Sequence, residues 1–134
     1  MGLLIDATVL IEYERGRLDP AERVRGREDV PFFVSVITAS ELLHGVHRAR
    51  RPDVRARRSA FVEAILGRFP LLSIDLSIAR IHSQVWAGLA ASGSLIGPHD
   101  LWLAATCLAH GLTLATANLR EFGKVPGLVV ESWI

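Results

Sequence analysis

The sequence predicts an α/β fold of three layers, with a central, mainly parallel sheet of four to five strands between helices. Three observations predict it. Short apolar runs of strand length recur along the chain, and most are followed by a longer segment of helical character. No repeat, linker or low-complexity tract interrupts the 134 residues. Half of them are hydrophobic, enough for a core without staples at this length. Residues 1–134 are therefore read as a single domain.

Each element has a local reason. Gly2 to Ile5 is a short apolar run and reads as a buried strand. Ala7 to Arg15 follows as a helix, stopped by Gly16. Pro20 opens a short charged helix to about Arg27. Phe32 to Val36 is aromatic and β-branched after Pro31, hence a strand. Thr38 begins a helix to about Ala49. Pro52-Asp53 breaks it, and Val54 to Phe69 continues as a helix with the stripe Phe61, Ile65, Leu66. Leu71 to Ile74 is the third strand. Asp75 caps a long helix that ends near Ser92-Gly93. Pro98 sits in the first turn of the next helix, where its missing N–H costs nothing. Leu112 to Ala115 and Leu128 to Glu131 are the last strands, with Asn118 to Phe122 as a turn or short helix between them.

The bulk numbers exclude several function classes. The formal charge is +1, so no whole-protein field attracts nucleic acid. The basic residues are uneven: all but Lys124 are arginines, and many lie between Arg48 and Arg58. Cys107 is the only cysteine, which excludes an internal disulfide and a thiolate metal site. No secretory pattern opens the chain, Asp6 does not fit a myristoylation signal, and no apolar run has membrane length. The expectation is a soluble cytoplasmic protein.

Three acids stand where the sequence changes character. Asp6 ends the first apolar run, Glu41 follows the second strand, and Asp100 opens the apolar helix after Gly97-Pro98-His99. In a parallel sheet, ligands bind beyond the carboxyl ends of the strands, where strand order reverses. Asp6, Thr116 and Asn118 lie beyond such strand ends, and Glu41 and Asp100 are placed in first helical turns facing the same edge. Crowded carboxylates need a cation, and hard oxygen donors without cysteine select Mg2+, with Mn2+ as the alternative. That chemistry suits hydrolysis of a phosphodiester. Each acid also has a plain alternative. Asp6 caps a helix, Glu41 completes a capping box with Thr38, and Asp100 complements a helix dipole. The signal is their joint placement.

These residues resemble the PIN-domain ribonucleases, and within them the VapC-type toxins of bacterial toxin–antitoxin modules. The resemblance is carried by LLIDATVLIE, SVITASELLHGV and IGPHDLWLAATCLAHGLTLATANLREFGKVPGLVVESW, which together span nearly the whole chain. It implies a PIN-like fold, a metal-dependent endoribonuclease, a small cognate antitoxin and a homodimer. It places the acidic metal ligands at Asp6, Glu41 and Asp100, the fourth polar position at Asn118, and an assisting hydroxyl at Thr116. Thr8 stands where the family often has a polar residue near the metal. Two departures matter. Ala7 replaces a common hydroxyl, and Asn118 is an amide rather than a carboxylate, which predicts single-metal occupancy at rest.

The basic segment from His44 has two readings, a solvated helix face or an RNA contact through Arg48, Arg50 and Arg51. His44 and His47 lack a third nitrogen ligand and are read as surface residues. Trp86, Trp102 and Trp133 are read as core or subunit contacts, and the helix at Ala7 to Arg15, with Tyr13, as part of a partner groove. The main alternative to an enzyme is a catalytically weak or inactive PIN-like binding module, favoured by the neutral Asn118. A third reading, a phosphoaspartate receiver, is disfavoured by Ala7 and Thr8 after Asp6 and by Lys124 lying beyond the Phe122 turn.

Overall fold

The computed structural model describes residues 2–133. Its elements follow in the order β1 (Leu3–Ile5), α1 (Ala7–Glu14), α2 (Pro20–Val24), β2 (Phe32–Ser35), α3 (Val36–Arg48), α4 (Pro52–Arg68), β3 (Leu71–Leu72), α5 (Leu76–Ala91), α6 (Pro98–His110), β4 (Thr113–Thr116), α7 (Leu119–Phe122) and β5 (Val130–Ser132). The five strands form one sheet in the order β3-β2-β1-β4-β5, and every pairing is parallel.

Strand alternation builds the layers. Leu3 and Ile5 enter one apolar cluster, with Val9 and Leu10 of α1, Leu42 and Val46 of α3, and Val62 and Ile65 of α4. Leu4, between them, enters another with Leu103 and Cys107 of α6 and Leu114 of β4. Period-2 side-chain alternation thus puts helices on both faces, as the short all-apolar strand requires. Leu89 of α5 and Leu101 and Ala104 of α6 form a further cluster outside the sheet.

Several boundaries differ from the sequence expectation. β3 keeps only Leu71–Leu72 of the expected Leu71 to Ile74, and β5 starts at Val130 rather than Leu128. α2 ends at Val24 rather than near Arg27, and α4 starts at Pro52 rather than Val54. Two more bear on the site. Strand β2 runs straight into α3, so the helix begins at Val36 rather than Thr38. Ser35 is both the last strand residue and the cap, accepting from the Ile37 N–H at 3.0 Å. Glu41 is therefore in the second turn, not the first, and Thr38 is a buried helical residue rather than a capping partner. The β4 strand ends one residue later than expected, at Thr116. That extension places Thr116 where its hydroxyl donates to Asp6.

The chain winds outward from β1 to β2 and β3, then returns to the other side of β1 for β4 and β5. Strand order therefore reverses between β1 and β4, where a crevice opens beyond the carboxyl ends. Ile5 pairs with Ala115, so Asp6 and Thr116 are the next residues on the two central strands.

Candidate active site

Asp6 occupies the N-cap position of α1 but makes no side-chain cap hydrogen bond. Its Oδ2 instead accepts from Thr8 Oγ1 and from Thr116 Oγ1, each at 2.7 Å. The two hydroxyls also approach each other at 3.3 Å, and Thr8 Oγ1 accepts from the Ala117 N–H at 3.0 Å. Thr116 Oγ1 further accepts from the Asn118 N–H at 2.9 Å. A buried carboxylate, 2% exposed, is thus fixed by hydroxyls from both sides of the reversal point. The plain helix-cap reading of Asp6 does not hold. Such a network orients the carboxylate and limits its rotation.

Glu41 faces the same edge from α3. Its Oε1 is buried without a hydrogen-bond partner among the described residues, and His99 Nδ1 lies 3.5 Å away. Burial raises the Glu41 pKa, and the charge of Asp6 adds to the rise while His99 opposes it. Asp100 lies in the first turn of α6. Its pKa is pushed up to about 6, first by burial and then by the charges of Asp6, Glu41 and Glu121. The three sequence-predicted acids are thus brought into mutual electrostatic reach.

They do not yet form a finished ligand shell. Among the described residues, no three His, Cys, Asp or Glu side chains stand together as a metal-ligand group. Glu41 Oε1 stands 3.5 Å from His99 Nδ1. The donor set nevertheless suits a hard cation: carboxylate oxygens, an unpartnered buried Oε1, and charges that raise one another's pKa.

Two site residues escaped the sequence reading. Glu121, in the single turn α7, adds to the negative field at Asp100. His99 brings its Nδ1 to within 3.5 Å of the Glu41 carboxylate. The Pro98-His99-Asp100 string was the available signal for His99, and Glu121 stands three residues beyond Asn118, one helical turn away. Asn118 itself is exposed at the cap of α7, with no side-chain cap bond.

A cavity of about 710 Å3 continues from Glu41 along α3. Arg48 lines it, together with Arg15 and Arg58. Arg50 and Arg51 do not, and Arg51 is paired with Asp53 at 2.9 Å on the surface. The tryptophans divide: Trp133 is fully buried in the core, Trp102 stacks on His82 with centroids 3.5 Å apart, and Trp86 is 54% exposed. Among the described residues, no helix is long and apolar enough to cross a membrane.

Comparison with known proteins places this geometry in context. The PIN domain family model matches residues 3–128. Ribonuclease VapC1 of Rickettsia felis is 31% identical over 130 residues, covering 97% of this chain and 95% of the relative. The tRNA(fMet)-specific endonuclease VapC of Salmonella typhimurium is 36% identical over 100 residues, covering 75% of this chain and 74% of the relative. A DNA-bound VapBC complex from Salmonella typhimurium contains a chain that superposes with a TM-score of 0.89 at 30% identity, covering 100% of this chain and 99% of that one.

Proposed function

The chain belongs to the PIN-domain family, and from that premise we propose that it is an endoribonuclease, the toxin of a toxin–antitoxin pair. It hydrolyses RNA phosphodiester bonds, is blocked by a small cognate antitoxin, and works as a homodimer in the cytoplasm. Residues 1–134 act as one PIN-like domain. What supports this reading is the electrostatic coupling of Asp6, Glu41 and Asp100 near the sheet's reversal point, with the Asp100 pKa pushed up to about 6 by burial and then by the charges of the other acids.

Asp6, Glu41 and Asp100 are the residues that hold a divalent ion, Mg2+ in preference to Mn2+. The chemistry such an ion supplies when bound is neutralisation of phosphate charge and a lower pKa for water. The chain's own groups do the rest. Thr8 and Thr116 hold the Asp6 carboxylate in one orientation. His99, 3.5 Å from the Glu41 carboxylate, opposes the rise in the Glu41 pKa that burial causes. Asn118 brings an amide rather than a carboxylate, so one ion is held at rest. Glu121 extends the negative field at Asp100. Arg48 draws the RNA backbone toward these acids, and Arg50 and Arg51 add to that attraction from the exposed surface.

The test is cleavage of RNA by the purified protein with Mg2+, and its loss on chelation. Asp6→Asn and Asp100→Asn each abolish cutting and leave the circular dichroism spectrum unchanged. Cutting that persisted in both variants would overturn the assignment. A protein that never cuts across a broad RNA panel would instead be the binding module that the neutral Asn118 favours.

A further inference from the structure

Glu41, His44, Gly45 and Arg48 fall at i, i+3, i+4 and i+7, on one face of α3. That face is a wall of the 710 Å3 cavity. Its middle is bare. A Cβ built at Gly45 meets nothing closer than Arg58 Cδ at 3.9 Å, so no packing in the free protein requires glycine there. Glycine in a helix interior is destabilising relative to alanine, and it is the residue of choice where a ligand approaches the backbone.

The surroundings say what the ligand is. Phe61 lines the same cavity, held edge-on to Tyr13 at 5.5 Å, and gives an apolar wall. Arg58 is a fixed part of the frame: it donates to the Gly45 carbonyl at 3.0 Å and lies 3.8 Å from Glu14. Arg48 has no hydrogen bond or ion pair among the described residues, and Arg15 has only a loose contact with Glu12 at 4.0 Å. The cavity therefore joins a catalytic acid, a flat bare patch beside an aromatic ring, and two loosely held guanidinium groups. Arg48 lies about 10 Å along the helix axis from Glu41, far enough to take a phosphate beyond the one at the acids.

We propose that the bare face at Gly45 is a nucleotide subsite of the RNA-cleaving centre. It seats the sugar and base of a nucleotide flanking the cut between Gly45 and Phe61, with that nucleotide's phosphate on Arg48 and Arg15. The proposal rests on the endoribonuclease reading for its substrate, but not for its test.

The test uses the full chain in EDTA and two fluorescent probes of equal charge, a mixed-sequence RNA decamer and an abasic decamer. The wild type prefers the base-bearing strand by about 5-fold to 100-fold. Gly45→Ala folds and melts about 3–5 °C higher, since it fills open space on a helix. Gly45→Leu fills the seat: the preference falls to about one while the salt dependence is kept. Arg15→Gln with Arg48→Gln does the reverse. The slope of log affinity against log salt falls by about 0.7 for each arginine removed, and the base preference stays. A Gly45→Leu protein that keeps its preference overturns the inference, as does an unchanged salt slope in the double arginine variant. The latter decides alone should Gly45→Leu fail to fold. Loss of peptide binding in Gly45→Leu with RNA binding intact makes the groove a peptide seat and also overturns it. The two readings fail separately. A wild type that shows the preference but never cuts RNA sinks the nuclease assignment alone. Unaltered cutting and binding by Gly45→Leu sinks the subsite alone.

Discussion

Asp100 shows how an acid proposed to hold the metal can work against the fold. Its folded pKa is about 6 against an ordinary 3.8, so the folded state prefers the protonated form. The sign follows directly. Its favourable contribution is fully present below about pH 4 and is lost as pH rises through 6. At pH 7 and without metal the ionised group is a liability. Asp100→Asn removes that charge and raises metal-free stability by about 1–2 kcal/mol after discounting for solvent, read as a higher midpoint in urea with EDTA. The same change abolishes cleavage. A destabilised variant would show that Asp100 makes favourable contacts the ionised pair picture omits. Thr116 works in the opposite sense. Thr116→Val keeps the shape but removes a donor to Asp6 Oδ2, leaving Thr8 alone to fix it. Metal affinity or activity falls about 10-fold to 100-fold, measured by calorimetric titration and single-turnover cleavage. At this scale much of the site was legible. Asp6 and Asp100 announced themselves as charges beside apolar runs, and Thr116 by its place after a strand. Glu121 did not, because a lone acid in a surface turn has no sequence mark of its electrostatic reach.

Elements were read well where one signal dominated and poorly where two shared a residue. Asp75 caps α5 as expected, accepting from the Ile78 N–H at 3.0 Å. Proline opens α2, α4 and α6 at their first positions. The β2–α3 junction was harder. A strand that passes into a helix without a loop leaves no turn residue to mark the change, and Thr38-Ala39-Ser40-Glu41 imitates a capping box. Ser35 is the real cap, and it is fully buried. The consequence is positional. Starting α3 at Val36 turns Glu41 toward the reversal point, where its Oε1 stands without a hydrogen-bond partner among the described residues. Ser35→Ala removes the acceptor for the Ile37 N–H and costs about 1–2 kcal/mol, read from denaturant unfolding. Because the same cap sets the start of the helix carrying Glu41, cleavage falls as well. Ser35→Asp, a cap of equal rank in water, does not rescue it, since a charge at a fully buried position is costly.

At the scale of the molecule, sheet order decides function. Five parallel strands alone do not make a site. The return of the chain from β3 to the far side of β1 does, because it sets Asp6 beside Thr116. The alternation of strand and helix was legible in the sequence but this order was not, since the central β1–β4 pairing joins residues 110 apart in the chain. The same long-range logic holds the edge. Arg27, in the connection from α2 to β2, donates to both oxygens of Glu131 in β5, at 2.6 and 2.7 Å. Trp133 Nε1 donates to the same carboxylate at 3.1 Å, and its ring is wholly buried in the core beside Phe32. The clamp therefore ties an outer strand to the opposite side of the sheet and orients a core tryptophan. The arginine's hydrogen bonds, followed by the one from Trp133, hold the Glu131 pKa below the ordinary carboxylate value. A depressed folded pKa contributes stability above the unfolded value, and that contribution is lost as pH falls through the folded one. Arg27→Ala thus costs about 1 kcal/mol at pH 7, the modest value proper to a partly exposed bidentate pair, and the difference from wild type narrows as pH falls below the ordinary carboxylate range. A double-mutant cycle with Glu131→Gln isolates the pair, and indole fluorescence follows Trp133 in each variant. Additive effects of the two changes, or a gap that persists in acid, would show that the clamp acts through packing rather than charge.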